Sequence, residues 1–329
     1  MFFHDIGIDL GTANVLIYIK GQGIVLNEPS VVAIELETKK SLAVGTEAKE
    51  MLGKTPGKFE AIKPMKDGVI ADFELTEIML NSFIKKINGK NPFSKPRILI
   101  CCPSNITQVE KNAIREATEK TGARKVFIEE EPKVAAIGAG LDISKPSGNM
   151  IIDIGGGTTD IAVLSLGGIV NSTSIKIAGN TFDLEITKYI KNKYKLLIGE
   201  TTSEKIKLTI GTVFSNKKNE KMDVRGRDIV TGLPKTIVIS SEEVEEALFE
   251  SVDEIIRNVK NILEITPPEL SADIIDKGIV LTGGGALIDG LDRLLEQELK
   301  VPVYVASNPL TCVAEGTGIM LENLNLIDN

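Results

Sequence analysis

The sequence has little of several residue types that particular functions require. It contains no tryptophan, and aromatic residues make up only 4% of its 329 residues, so a platform that stacks nucleic-acid bases is not expected. The single histidine, His4, argues against a histidine-based catalytic triad or a histidine-rich zinc site. The net charge of −8 argues against general binding to nucleic acid, because phosphate contacts need clustered positive charge. We therefore expect no nucleic-acid partner.

Cysteines and long apolar runs are also scarce. The three cysteines (Cys101, Cys102 and Cys312) are too few for a disulfide framework, which fits a reducing cytoplasm. No apolar run approaches the roughly 20 residues of a membrane-spanning helix, and residues 1–5 show no signal-peptide pattern. With 42% hydrophobic and 26% charged residues, the chain has enough apolar side chains for a large core. These values predict a soluble, cytoplasmic α/β protein of two domains.

A short motif occurs twice. An apolar strand that ends near Asp9 is followed by a Gly-Thr turn and a second apolar strand, and the same pattern recurs around Asp153. This repetition predicts two β-hairpins with glycine-rich tips, in two related halves of the chain. A third glycine-rich turn, 283–285, follows the apolar segment 278–282 and precedes a helical pattern at 287–295. Elsewhere strand and helix patterns alternate, which favours α/β layers.

Three further segments have the pattern of helices. Residues 107–121 are expected to form one helix, which ends at Gly122. A second begins with Ser241 as its N-cap and ends before the two prolines at 267–268. A third covers 314–324, and we expect it to pack on the first half.

The glycine-rich tips predict a site for a polyphosphate. Glycine lets the backbone approach a phosphate closely, and consecutive N–H groups in such turns bind anions. Asp9 and Asp153 end their strands beside these tips, where carboxylates can hold the water shell of a magnesium ion. One such hairpin alone would be an ordinary turn, but two copies and a third glycine turn favour the phosphate site. Neither hairpin has the Walker pattern or begins a helix as a dinucleotide fingerprint does.

The order and spacing of these motifs resemble the MreB/Mbl family of bacterial actins, within the superfamily of actin, sugar kinases and chaperone ATPases. The resemblance implies an α/β, actin-like ATPase fold, with two related halves, each a central mixed sheet flanked by helices, and a nucleotide cleft between them. The implied first half is 1–146, with an insert at about 33–65, and is rejoined by a C-terminal helix at about 313–329. The implied second half is 147–312, with an insert at about 181–248. The matching segments, spread over essentially the whole chain, are 5–14, 27–31, 64–72, 130–132, 146–160, 266–270 and 281–285.

The resemblance also implies a role for each matching residue. Asp9 and Asp153 would hold Mg²⁺ through water. Glu131 would position the water that attacks ATP, with Thr158 and Asp72 as weaker candidates in the same water network. ATP or ADP would be bound at the β-phosphate by Gly11, Thr12, Ala13 and Asn14, at the γ-phosphate by Gly155, Gly156, Gly157, Thr158 and Thr159, and around ribose and adenine by Gly179, Glu204, Lys207, Gly283, Gly284, Gly285, Ala286 and Leu287.

For some of these residues an ordinary surface role is the alternative to a role in the nucleotide site. The acidic run 129–131 would ordinarily be a solvated surface, and Glu204 with Lys207 could be a surface ion pair, because they are three residues apart on one helix. Lys133 stands where an apolar residue is more usual in the family. Its charge is expected to lower the pKa of Glu131.

A basic segment predicts contact with a membrane. Residues 85–97 contain five cations, no acids and the apolar tip Pro92-Phe93, and Phe2 and Phe3 could insert beside that tip. Basic side chains near an anionic membrane contribute on the order of 1 kcal/mol each. The resemblance also implies membrane contact by a hydrophobic loop at this place. The alternative is an ordinary solvated loop in which Phe93 covers a core.

The resemblance implies a slow ATPase that polymerises into antiparallel double filaments at the inner face of the cell membrane. Its implied partners are other copies of the chain, the anionic membrane surface and membrane-embedded cell-shape proteins that guide cell-wall synthesis. A sugar or acetate kinase is the alternative among enzymes, although no feature supplies an acceptor pocket. A chaperone ATPase is the alternative among binding proteins, but no segment is left for a peptide-binding domain.

Overall fold

The structure, a computed structural model, describes residues 5–88, 95–214 and 220–323. Its strands form two five-stranded sheets, two three-stranded sheets and one two-stranded sheet. In chain order the described strands are β1 (Ile6–Leu10), β2 (Asn14–Ile19), β3 (Gly23–Pro29), β4 (Val32–Glu35), β5 (Ser41–Val44), β6 (Phe59–Ile62), β7 (Met65–Lys66), β8 (Val69–Ile70), β9 (Arg97–Cys102), β10 (Lys125–Glu130), β11 (Asn149–Ile154), β12 (Thr159–Ser165), β13 (Gly168–Ile175), β14 (Leu196–Leu197), β15 (Lys221–Asp228), β16 (Pro234–Ser240), β17 (Ile279–Thr282) and β18 (Val303–Val305).

Helices separate most of the later strands. Among the described residues, no helix is both long enough and apolar enough to cross a bilayer. In chain order the described helices are α1 (Thr46–Glu50), α2 (Phe73–Asn88), α3 (Gln108–Glu119), α4 (Glu131–Gly138), α5 (Gly179–Tyr194), α6 (Glu200–Ile210), α7 (Ser241–Ile265), α8 (Pro268–Lys277), α9 (Leu291–Leu299) and α10 (Cys312–Glu322), with a 3₁₀ turn at Gly284–Leu287.

The two large sheets have the same construction. The first has the order β10-β9-β1-β2-β3, and the second has the order β13-β12-β11-β17-β18. In each, an antiparallel hairpin (β1–β2 or β11–β12) is extended by an antiparallel strand on one side and by two parallel strands on the other. The predicted pair of related hairpins and the mixed sheets flanked by helices are thus confirmed.

Each large sheet is accompanied by a small one. The sheet β5-β4-β6 and helix α1 fall close to the segment 33–65, which was predicted as the first insert. The sheet β14-β15-β16 and helix α6 fall within the second predicted insert, 181–248. The domain boundaries themselves stay a prediction.

Helix α10 packs on the first sheet, as its sequence pattern predicted. It lies against β1, β2 and β9 and against α4. The approach is close because glycines lie at the contact: a Cβ on Gly7 would be 1.9 Å from Thr317 Oγ1. The described helix begins at Cys312 and ends at Glu322, and residues 324–329 lie outside the described residues.

Two helix starts differ in detail from the predictions. The N-cap of α7 is Ser240 and not Ser241: Ser240 has an extended backbone and accepts a hydrogen bond from the N–H of Glu243, whereas Ser241 is already helical. The helix after the third glycine turn begins only at Leu291, because the 3₁₀ turn comes first. The predicted helix start at Thr107 is confirmed by a capping box with Glu110.

Candidate functional site

The two hairpin tips meet. A Cβ on Gly156 would be 2.6 Å from the Cβ of Ala13, and a Cβ on Gly157 would be 2.4 Å from Thr12 Oγ1. Only glycine allows this contact, since real Cβ atoms do not approach other atoms so closely. The turn residues of the two halves are therefore held side by side, with their backbone groups available to one ligand.

The third glycine turn lies against the second hairpin. A Cβ on Gly283 would be 2.3 Å from the carbonyl oxygen of Ile154, and Gly283 has a φ of +79°. Thr282, which ends β17, donates a hydrogen bond of 2.9 Å from Oγ1 to Asp153 Oδ1. The turn thus extends the wall of the cleft away from the two tips.

The three turns surround a cavity of about 520 Å³ that is lined by residues of both halves. This volume is in the range of small-molecule and cofactor sites. Most of the residues predicted to bind a nucleotide line the cavity: Asp9, Gly11, Thr12, Ala13, Asn14, Glu131, Asp153, Gly155, Gly156, Gly157, Thr158, Gly179, Glu204, Lys207, Gly283, Gly284, Gly285 and Leu287.

Three of the predicted residues do not line the cavity. Thr159 is fully buried and donates its hydroxyl to the carbonyl of Ile177, 2.6 Å away. Ala286 is buried behind the third turn. Asp72 accepts a hydrogen bond from the N–H of Leu75 at the start of α2. In the structure this carboxylate therefore contacts the first turn of a helix, and the catalytic role of Asp72 stays a prediction.

Asp9 and Asp153 have unusually weak acidity. Burial raises the pKa of Asp9 to about 7, and the charge of Asp153 adds to this shift. Burial likewise raises the pKa of Asp153 to about 7, against a lowering contribution from the hydrogen bond of Thr282. Two buried carboxylates in one cleft are stabilised in their charged form by a cation.

This donor set suits a cation that keeps its water. Among the described residues, no group of three or more His, Cys, Asp or Glu side chains could bind a metal directly. Two carboxylates beside a polyphosphate site match magnesium, which retains several waters and takes few protein ligands. Asp9 and Asp153 are thus the residues that would hold Mg²⁺.

Glu131 is the first residue of α4, and its carboxylate is buried. Burial raises its pKa well above the ordinary value, and the charges of Asp160, Asp9 and Asp153 add to the shift. The expectation that Lys133 lowers this pKa is wrong. Lys133, in the first turn of α4, forms its ion pair with Glu129 near the end of β10, 3.1 Å away, and not with Glu131.

Helix α6 supplies the polar side chains at the far end of the cleft. Lys207 donates to Asp183 Oδ2 at 2.9 Å and to the carbonyl of Gly179 at 2.8 Å. Glu204 pairs instead with Lys49 of the first insert, 2.9 Å away. The alternative of an ion pair between Glu204 and Lys207 is therefore wrong, and both side chains face the cleft.

Several residues that line the cavity were not predicted from the sequence. Asp183 lines the cleft one turn after Gly179 on α5, and this spacing could have identified it. Gly68 lines it from the β7–β8 turn, with φ +77° and an N–H that donates to Thr12 Oγ1 at 2.9 Å. No local pattern indicates that contact, because it joins residues 56 positions apart.

The predicted membrane residues Phe2, Phe3, Pro92 and Phe93 lie outside the described residues. Two of the five nearby cations are neutralised by acids elsewhere in the chain. Arg97 forms a bidentate pair with Asp5, at 2.9 and 2.6 Å, and Lys86 pairs with Glu28. The basic segment therefore has less free charge than its sequence indicates.

The model of the MreB/Mbl protein family matches residues 3–329. The chain belongs to the MreB/Mbl family. It is 66% identical over 325 residues to the cell shape-determining protein Mbl of Bacillus cereus, covering 99% of this chain and 98% of that protein. It is 53% identical over 332 residues to the cell shape-determining protein MreB of Escherichia coli, covering 99% and 95%.

A solved structure of this family has the same fold. The crystal structure of MreB5 of Spiroplasma citri bound to AMPPNP superimposes with a TM-score of 0.95 and is 44% identical, covering 100% of this chain and 98% of that one. The same Spiroplasma protein has also been solved bound to ADP. The predicted actin-like fold is thus confirmed.

Proposed function

We propose that this chain is an ATP-dependent bacterial actin that polymerises and organises cell shape. The observation that carries the proposal is the cavity at which the two hairpin tips and the third glycine turn meet, beside Asp9, Asp153 and Glu131. Its support is the AMPPNP and ADP bound by the Spiroplasma relative and the cell-shape role in the names of the Bacillus and Escherichia relatives.

In the proposed mechanism, the chain's own residues align the reactants. The first tip binds the β-phosphate and the second tip binds the γ-phosphate, each through backbone N–H groups. Glu131 orients the attacking water. Asp9 and Asp153 are the residues that would hold the water shell of Mg²⁺, and the ion would supply positive charge beside the phosphates. The raised pKa values of these carboxylates return towards ordinary values when a cation enters. On the basis of the same cavity we propose that the chain is a slow ATPase.

Closure of the cleft on ATP would couple binding to polymerisation, because a ligand that contacts both halves favours the conformation in which they are close. We propose that the filaments are antiparallel pairs on the cytoplasmic face of the membrane, held by the segment at 89–94 and the first residues. There they would work with membrane-embedded cell-shape proteins in cell-wall synthesis. Domain limits of 1–146 and 147–312 belong to the same proposal.

The test is electron microscopy of the purified chain with Mg-ATP on an anionic lipid monolayer. Paired filaments are expected, and Phe93→Ser combined with Phe2→Ser is expected to remove them from lipid but not from solution. Glu131→Gln is expected to lower ATP hydrolysis about 10²-fold or more while ATP still binds. A chain that forms no polymer with any nucleotide but phosphorylates hexoses or acetate would be a kinase instead.

A further inference from the structure

Asp160 lies behind the second hairpin tip and joins the two large sheets. It is on β12, two positions after Thr158, and is fully buried. Its Oδ1 accepts hydrogen bonds from the backbone N–H of Ser104, at 3.1 Å, and from Ser104 Oγ, at 3.2 Å. Ser104 follows β9, a strand of the first sheet. One buried carboxylate therefore connects the second tip to the opposite half.

The turn that contains Ser104 is also connected to the first tip, through Gly68. The preceding residue, Pro103, is buried against Gly68: a Cβ on Gly68 would be 2.7 Å from Pro103 Cγ. The N–H of Gly68 in turn donates to Thr12 Oγ1. The position of Ser104 is thus linked to both tips, directly through Asp160 and indirectly through Gly68.

Glu131 starts from the same edge of the first sheet as Ser104. The parallel β10–β9 register pairs Glu130 with Cys102, so Glu131 leaves its strand level with Pro103, the residue before Ser104. Asp160 contacts Ser104 directly, and its charge adds to the burial that raises the pKa of Glu131. A shift of the Ser104 turn relative to Asp160 would therefore change how Glu131 faces the second tip.

We propose that Asp160 is a positioning residue for hydrolysis, which holds the second tip in register with Glu131 by binding Ser104 across the two halves. The inference rests on the proposed function, because it requires that ATP is hydrolysed in this cleft. Neither Asp160 nor Ser104 lines the cavity. The Asp160 carboxylate also interacts with the hydroxyls of Ser174 and Thr158, and Thr158 does line it. Ser104→Ala is therefore the variant that weakens the link between the halves without changing a contact of a nucleotide-binding residue. Hydrolysis depends steeply on alignment, whereas affinity depends on it much less.

The test is single-turnover ATP hydrolysis at saturating Mg-ATP, together with calorimetric ATP affinity, on the full chain. Ser104→Ala removes the hydroxyl bond and keeps the N–H bond, and is expected to slow hydrolysis about 3–10-fold with affinity changed less than about threefold. Asp160→Ala removes both bonds from Ser104 and also the interactions of the carboxylate with Ser174 and Thr158, and is expected to slow hydrolysis about 10–100-fold, with affinity changed much less than the rate.

Two conservative variants separate the hydrogen bonds from the charge. Asp160→Asn keeps an oxygen that can accept from Ser104 and loses the charge, so its rate is expected to be closer to wild type than to Asp160→Ala. Ser104→Thr keeps the hydroxyl and is expected to restore most of the rate lost in Ser104→Ala. The double variant that combines Ser104→Ala with Asp160→Ala is expected to hydrolyse ATP at the same rate as Asp160→Ala alone.

Ser144→Ala is the matched control. The N–H and Oγ of Ser144 donate to Asp142 Oδ1 in the same pattern, but on an exposed turn outside the cavity. Its hydrolysis rate is expected to equal that of wild type.

Unchanged hydrolysis in Ser104→Ala and Asp160→Ala would overturn the inference, as would affinity that falls in parallel with the rate. A loss in Asp160→Asn as large as in Asp160→Ala would assign the effect to charge and also overturn it. If Asp160→Ala does not fold, the comparison of Ser104→Ala with Ser104→Thr decides. A wild-type chain that binds no ATP contradicts the proposed function itself and is a different result.

Discussion

Single residues determine the electrostatics of the cleft. Asp9, Glu131 and Asp153 are buried there together, and the only cationic side chain among the described residues that line it, Lys207, is bonded to Asp183. The cleft therefore carries an excess of negative potential until a cation enters it. Without a ligand, these carboxylates hold protons at a pH where exposed carboxylates have lost them.

The buried carboxylates of the cleft determine how the stability of the nucleotide-free chain is expected to depend on pH. The pKa of Asp9 rises from 3.8 to about 7 on folding, so the folded state binds this proton more tightly than the unfolded state. The stabilising contribution is complete below about pH 4 and is lost as the pH rises through about 7. The free energy of unfolding is expected to fall by about 1–3 kcal/mol between pH 5 and pH 8.

Chemical denaturation of nucleotide-free protein across that range measures this change. Asp9→Asn is expected to reduce the slope of the unfolding free energy against pH, although Asp153 and Glu131 line the same cavity, also have raised pKa values and keep part of the slope. Asp142→Asn is the control, because the pKa of Asp142 is lowered to about 2 by its bonds with Lys145 and Ser144, and it does not titrate in this range. A slope that is equal in Asp9→Asn and wild type would contradict the prediction.

Glu131 shows what residue patterns can and cannot predict about the site. Three consecutive acids in a sequence are usually solvated, and nothing in the run itself says which one is buried. The difference arises because α4 begins at Glu131 and turns its side chain inwards, while Glu129 and Glu130 pair with Lys133 and Lys111 outside. Only the resemblance to a family, which carries that three-dimensional context, could identify Glu131.

At the scale of elements, close helix packing depends on glycine. Helices α4 and α10 cross where a Cβ on Gly138 would be 1.8 Å from the carbonyl oxygen of Cys312, and one on Gly316 would be 2.0 Å from that of Val134. Backbone atoms cannot move aside as a flexible side chain can. The two helices therefore need glycine at both positions.

Gly316→Ala is expected to destabilise the chain by about 2–4 kcal/mol, because the added methyl group forces the helices apart and strains the core. Thermal or urea denaturation measures the loss. Gly57→Ala is the control, since a Cβ there meets no atom within 4 Å and is expected to change stability by less than about 0.5 kcal/mol. Equal stability of the two variants would show that the helices tolerate the wider spacing.

Element boundaries were predicted best where the signal is local. The helix start predicted at Thr107 is confirmed, and the structure adds a capping box there, which is a pattern of only four residues. The cap of α7 was misplaced by one residue because Ser240 and Ser241 are adjacent and each could cap a helix. The glycine contacts between α4 and α10 could not be predicted, because they depend on packing between segments far apart in the chain.

At the scale of the whole molecule, two ion pairs join the halves across the mouth of the cleft. Lys49 pairs with Glu204, and Lys63 pairs with Glu200, so the first insert is connected to α6 of the second half. Each pair is partly exposed and individually weak. Because both must open before the cleft widens, they are expected to slow the release of a bound nucleotide.

Lys63→Glu is expected to accelerate nucleotide release about 2–5-fold, because it replaces attraction to Glu200 by repulsion. Combining it with Glu200→Lys is expected to restore the rate, since the pair is re-formed with its charges exchanged. Stopped-flow displacement of a fluorescent ATP analogue measures the rate of nucleotide release. Lys54→Glu changes the same charge at an exposed position of the same insert and is expected to have no effect. A release rate in Lys63→Glu equal to that of wild type would contradict the prediction.

The duplicated plan of the molecule was the most predictable property, because two similar hairpins in one chain already indicate two similar sheets. The contact between their tips was not predictable. The distance between Gly156 and Ala13 is set by how the two halves pack, and no segment of the sequence near either residue encodes it.

The return of α10 to the first sheet has a consequence for synthesis on the ribosome. The first half is built from early residues, yet β1 and β2 are covered by a helix that begins at Cys312. A nascent chain that has emerged only as far as residue 300 must therefore keep part of its oldest sheet open to water. The chain can bury that surface only after α10 has been synthesised, so chaperones that bind exposed apolar strands can act during the synthesis of all the residues between β2 and α10.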